Sequence, residues 1–197
     1  MRLPHRIHRT INSLRFKFVP TDEIITRIKI GDSEGAKHAL IEILRERLAH
    51  QDGSLHGVDW SLLEVSNIML ASSKMPSAQF HGAKLAGAYF GYCELRGANF
   101  ERSDLREANL RDADLAVANF AGANLSGANF ARANLQGCSF QAADLSDANL
   151  WGADLRGANF ADAKLANCCL TAALVNELTG LPDSVDIEKT GAEFSRY

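Results

Sequence analysis

Large apolar residues recur at every fifth position from 55 to 170, and the phase never slips. The 24 positions hold 14 Leu, 7 Phe, Trp60, Val65 and Met75. Two residues before each centre, from 78 to 168, stand 19 small residues: 15 Ala, with Cys93, Ser103, Cys138 and Cys168. A period of five suits neither ordinary element. An α-helix turning about 100° per residue would spiral these side chains around its axis, and a strand alternates with period two. A chain that turns a corner every five residues does bury the pattern, because the centre and the small residue before it then point inward on each side. Four such sides close a square coil of 20 residues.

Reading every twentieth residue supports that closure. Trp60, Phe80, Phe100, Phe120, Phe140 and Phe160 form an unbroken aromatic column, whereas the series 65 to 165 and 75 to 155 contain no aromatic residue. Opposite the aromatic column, Leu70, Phe90, Leu110, Phe130, Leu150 and Leu170 alternate, as expected if facing rings share space.

The tandem A-(D/N)-(L/F)-x-x blocks, as in ANLSG-ANFAR-ANLQG, resemble the pentapeptide-repeat proteins over 55–170. That resemblance implies a right-handed quadrilateral β-helix with coils stacked by backbone hydrogen bonds. Twenty-four blocks on four sides predict about six coils, or a rod about 29 Å long at roughly 4.8 Å per stacked strand. Its filled core is too thin for a ligand cavity.

A stacked solenoid needs its ends covered. The chain divides accordingly into a basic segment and helical cap (1–54), the β-helix (55–170), and a C-terminal cap helix with a polar tail (171–197). Thr21-Asp22-Glu23 opens an apolar helical pattern with Ile24, Ile25 and Ile28, which Gly31 breaks. Ser33-Glu34 starts a second helix with Ala36, Leu40, Ile43, Leu44 and Leu48 on one side. LTAALVNELTG at 170–180 reads as a short helix stopped by Gly180 and Pro182, with an extended remainder. This end either seals the last coil or joins two copies end to end, so a monomer or an end-to-end homodimer is expected. Residues 1–19 carry five basic residues and no acid on an apolar pattern that fits helix and strand alike. They read as a segment docked on the cap, with membrane contact the alternative.

Composition excludes several classes. The 21 Lys and Arg against 24 Asp and Glu give −3, too near neutral to point to direct nucleic-acid binding. No apolar run is long enough to span a bilayer and no secretory h-region opens the chain, so a cytoplasmic protein is expected. Four cysteines at irregular spacing make no disulfide framework or zinc pattern. The six histidines fall in no ligand spacing, and no glycine loop suits a phosphate. Neither an enzyme nor a cofactor is expected.

Function then lies on the outer sides, and the expected partner is a protein. The side bearing centres 70 to 170 collects Tyr89, Tyr92, Arg111, Arg132 and Trp151, residue types enriched at interface hot spots. The plain alternative is a ladder in which Asp112 and Arg132, twenty apart, pair between coils. The family resemblance adds a second function, mimicry of DNA towards DNA gyrase, which needs an acidic side. The candidates are Glu64, Asp104, Glu107, Asp144 and Asp147, but Lys84, Arg106 and Lys164 share that side and leave it at −2. Duplex DNA of the rod's length carries on the order of 17 charges. The repeats also lack the interrupting loop seen in some quinolone-resistance members.

Overall fold

The computed structural model describes residues 21–30, 35, 37–39, 41–42, 53, 55–183 and 185–195. Residues 1–19 lie outside them, and so does most of the second cap helix; residues 35, 37–39, 41 and 42 of that segment are helical.

From 59 onward, each block places its Asn/Asp position in a parallel bridge with the residue twenty further on. Four rows of bridges result. One runs Asp59, Gln79, Asn99, Asn119, Ser139, Asn159, Gly180, and another runs Lys74, Glu94, Asp114, Asn134, Asp154, Leu174. Every coil is therefore four one-residue rungs separated by turns, and from Trp60 to Phe160 the backbone N–H of each centre donates to the next coil, as from Phe100 to Asn119 O at 2.7 Å. The pattern is all-β with almost no strand of ordinary length.

The block chemistry explains why each position is occupied as it is. In most blocks the Asn or Asp Oδ1 accepts the backbone N–H two residues ahead, as Asn119 does from Ala121 at 3.0 Å and Asn149 from Trp151 at 3.0 Å. This local bond shapes the turn. Neighbouring amides then link the coils, Asn119 Nδ2 donating to Asn99 Oδ1 at 3.3 Å. The next residue but one past each centre has φ near +60° whatever its identity. Gly122 has +66°, but Leu62, Tyr92, Val117 and Arg132 adopt the same left-handed turn at 55° to 62°.

The core is the predicted double column. Phe80, Phe100, Phe120, Phe140 and Phe160 stack face to face with centroids 4.8 to 5.1 Å apart and planes within 11° of parallel. Trp60 meets Phe80 edge-on. Phe90 and Phe130 insert their edges against this stack at 5.6 to 6.1 Å, and Leu110 and Leu150 occupy the intervening layers. All of these side chains are fully buried. Cys93 and Cys138 take the small inward slot and donate to Leu70 O and Leu115 O. Burial pushes both thiols up to about 12, which leaves them protonated and unreactive.

At the N-terminal end, helix α1 (Thr21–Ile30) buries Ile24 and Ile28, and Ile41 is buried beside it. Every centre of the first coil, Leu55 to Leu70, is buried. The covering leaves two polar atoms there without a hydrogen-bond partner, Trp60 Nε1 and Ser73 Oγ.

The C-terminal end differs from expectation. No helix forms at 170–180. The five-residue phase continues instead, with Ala173 and Val175 buried in the small and large slots and Leu174–Val175 forming strand β1. The coil beneath supplies the template: Leu174 N donates to Ala153 O and Leu174 O accepts from Leu155 N, bonds an isolated helix could not match. The register then slips, since Asn159 pairs with Gly180 at a spacing of 21 and Leu174 with Glu193 at 19. The tail is not extended throughout: it forms a one-turn helix, α2 (Ile187–Thr190), and strand β2 (Glu193–Phe194), parallel to β1. Among the described residues Lys164 and Cys169 gain no rung above them. The backbone N–H groups of Leu165, Asn167 and Leu170 have no backbone partner among the described residues. Leu165, Ala163 and Cys168 are half-buried, while Leu178 is 71% and Phe194 58% exposed.

Candidate functional site

The five residues read from the sequence as one contact side do lie on one side, and Arg111 and Arg132 gather on Asp112 at its middle. Arg132 sits one coil above Asp112 and clamps it with two bonds, Nε to Oδ1 and Nη2 to Oδ2, each 2.7 Å. Arg111 adds Nε to Oδ2 at 3.1 Å, and the Tyr92 hydroxyl, one coil below, also favours the ionised carboxylate. The Arg132 guanidinium is the main reason that the Asp112 carboxyl is held down at about 2; the bonds from Arg111 and Tyr92 lower it further, against some desolvation. The plain alternative of the sequence is thus present as well: Asp112 and Arg132 do pair between coils.

Three consecutive members of this column, Tyr92, Asp112 and Arg132, hold the left-handed turn at φ 57° to 62°, a conformation costing a side chain roughly 1 kcal/mol. Gly152, next in the column, adopts it freely. Tyr89 lies differently, its ring folded over Gly91. A Cβ at Gly91 would stand 3.1 Å from the ring, so the missing side chain is what lets the tyrosine lie there. Trp151 is anchored through its backbone N–H to Asn149 and leaves its indole 45% exposed, and Tyr92 is 56% exposed. Ala131, between Arg111 and Trp151 in their column, is buried.

Sequence reasoning gave Asp112 only the role of ladder partner and missed that it organises the side. The signal was its place beside Arg111 and twenty residues from both Tyr92 and Arg132.

The acidic alternative is arranged otherwise. Glu64 pairs with Lys84, Asp104 with Arg106 in two bonds of 2.8 and 2.7 Å, and Asp144 with Lys164 at 3.3 Å. Asp104 and Asp144 also accept turn N–H groups, which ties them to the scaffold. Asp147 accepts from Asn167, and Glu107 borders a shallow hollow of about 310 Å³ above Asn67 and Gly87. Three of the five carboxylates thus have a cation in contact.

Among the described residues no cluster of His, Cys, Asp and Glu could hold a metal ion, and no helix is long and apolar enough to cross a membrane.

A pentapeptide repeat region profile matches residues 73–150, and a profile of eight pentapeptide repeats matches 138–174. The chain belongs to the pentapeptide-repeat family. Members of this family fold as right-handed quadrilateral β-helices. No curated protein matches the chain. Among solved structures, it resembles a pentapeptide repeat protein of the cyanobacterium Cyanothece 51142 at 24% identity, covering 60% of this chain and 91% of that one with a TM-score of 0.41. A pentapeptide repeat protein of Nostoc PCC 7120 is 34% identical over 54% of this chain and 84% of that one, TM-score 0.34. QnrB1, a plasmid-mediated fluoroquinolone resistance protein, is 21% identical over 73% of this chain and 90% of that one, TM-score 0.32. The family assignment rests on the repeat profiles.

Proposed function

We propose that this protein is a non-catalytic, cytoplasmic binding or scaffold solenoid that meets a protein partner through Tyr89, Tyr92, Arg111, Arg132 and Trp151. One observation carries the reading: two aromatic side chains stand about half-exposed on either side of arginines that Asp112 holds in place. Exposed aromatic residues beside fixed arginines are the composition of interface hot spots, and holding the arginines beforehand reduces the entropy lost on binding. The neighbouring Asn residues serve the turns, so this side carries groups that the fold does not require.

Trp151→Ala tests it. Affinity for the partner falls by about 2 kcal/mol while the melting temperature stays nearly unchanged, because an exposed indole supports neither core nor ladder. Asp144→Ala on the acidic side has little effect. DNA mimicry predicts the reverse: sensitive carboxylates, silent aromatics and affinity falling steeply with salt. The cation contacts of Glu64, Asp104 and Asp144 favour the aromatic side over that alternative. For oligomeric state, the incompletely covered C-terminal end favours an end-to-end homodimer. Sedimentation that shows a dimer, reduced to monomer by Leu178→Asp with Phe194→Asp, supports it, and a monomeric wild-type chain refutes it.

A further inference from the structure

Resting on that reading of the contact side, we propose that its partner is an acidic segment of another protein, whose carboxylate is taken by the outward N–H groups of Arg111 beside the Trp151 indole. The argument begins with charge. Over the repeats this side bears Arg111 and Arg132 against Asp112 alone, +1, in a chain of net −3. The Phe-column side and the acidic side stand at −2 each, and the fourth, from Lys74 to Glu177, at −1. An acidic segment is repelled by three sides and accepted by one.

Geometry supplies the receptor. Arg132 commits Nε and Nη2 to Asp112, but Arg111 commits only Nε, so both of its terminal amino groups are without a partner among the described residues. A guanidinium edge of this kind binds a carboxylate through two parallel bonds. Arg111 and Trp151 lie two coils apart in one column, about 10 Å at roughly 4.8 Å per coil, with the buried Ala131 between them. A carboxylate at Arg111 and an apolar side chain on Trp151 fit a single extended segment of a few residues. Asp112 holds the arginine and stays ionised, its carboxyl being held far below neutral pH by Arg132. An incoming acid therefore meets an ordered guanidinium rather than a free one.

The test is selection of a random-peptide display library on the full chain, with Arg111→Gln and, as a control on another side, Arg102→Gln selected in parallel. The expected result is enrichment of peptides in which Asp or Glu lies within a few residues of an aromatic or aliphatic residue. One such peptide, synthesised and titrated, should lose about tenfold in affinity on Arg111→Gln, as for one charge-assisted pair at a half-exposed site, and nothing on Arg102→Gln. Replacing its Asp or Glu by the amide should cost as much in the wild type and nothing further in Arg111→Gln. Selected peptides without acidic enrichment, yet lost on Trp151→Ala, overturn the acidic partner and leave the contact side standing. Selected peptides indifferent to Trp151, Tyr92 and Arg111 together overturn both, and acidic peptides that bind Arg111→Gln as well as wild type overturn the assignment to Arg111.

Discussion

The two ends of this molecule meet the same problem with opposite results. Both present a square layer of large apolar residues and a row of unpaired backbone groups. At the N-terminal end a helix adds Ile24 and Ile28 to the buried core, and Leu55, Trp60, Val65 and Leu70 are all buried. At the C-terminal end the described residues return over two sides only, through Gly180 and β2, and leave Leu165 half-buried with no backbone partner among them for its N–H. A helix covers side chains without continuing the ladder, and a continuing chain extends the ladder but must end somewhere. The covered end leaves the Trp60 indole nitrogen unpartnered, at a cost of roughly 1 to 3 kcal/mol, while the open end costs little but offers apolar surface and strand edge to another molecule.

The comparison can be broken first at its reference point, the middle of the rod. Phe120 stacks on Phe100 and Phe140 and meets Phe130 edge-on, so Phe120→Ala should cost roughly 3 to 5 kcal/mol in denaturant unfolding; an unchanged midpoint would contradict the layered core. At the covered end, Ile28→Ala should cost roughly 2 to 4 kcal/mol. Leu165→Ala at the open end should cost about 1 kcal/mol or less, because a half-buried side chain loses correspondingly less burial. Equal losses at the two ends would mean that the C-terminal layer is covered as well as the other. The smallest effect is electrostatic. The Asp112 carboxyl is held at about 2 against an ordinary value of 3.8, so its contribution is complete above about pH 4 and is lost as pH falls towards 2. Asp112→Asn should flatten that part of the acid-unfolding profile, and an unaltered profile would mean that the Arg132 clamp does not persist in solution.

The period alone made the columns legible. Large and small slots in fixed phase placed Trp60 to Phe160 in one stack and the alternating Phe90 and Phe130 against it. What the period hid was local. Asn and Asp read as outward-facing polar residues, yet they shape the turns, as at Asn149 to Trp151, because an Asx bond leaves no mark beyond residue type. Glycines signalled the left-handed position at some corners only, and Val117 or Arg132 adopts it as well because stacking fixes the corner. At 170–180 two periods compete. Leu170, Leu174 and Leu178 are spaced for a helix, and Leu170, Ala173 and Val175 for another coil side; the hydrogen bonds waiting on Ala153 and Leu155 decide for the coil. At the candidate site the five outward residues were legible as one side, whereas the role of Asp112 required knowing that Arg111, one residue along, turns back to meet it.

The twenty-residue register also governs what insertions and deletions do to this surface. Removing one five-residue block between 95 and 110 would rotate everything after it by a quarter turn, carrying Arg132 and Trp151 around the corner from Tyr92 although each local fold survives. Removing twenty residues would shorten the rod and keep every later residue on its own side. Lengths in this chain therefore act as angles, and a change of chain length that is harmless to folding can dismantle the proposed contact side as thoroughly as a substitution within it.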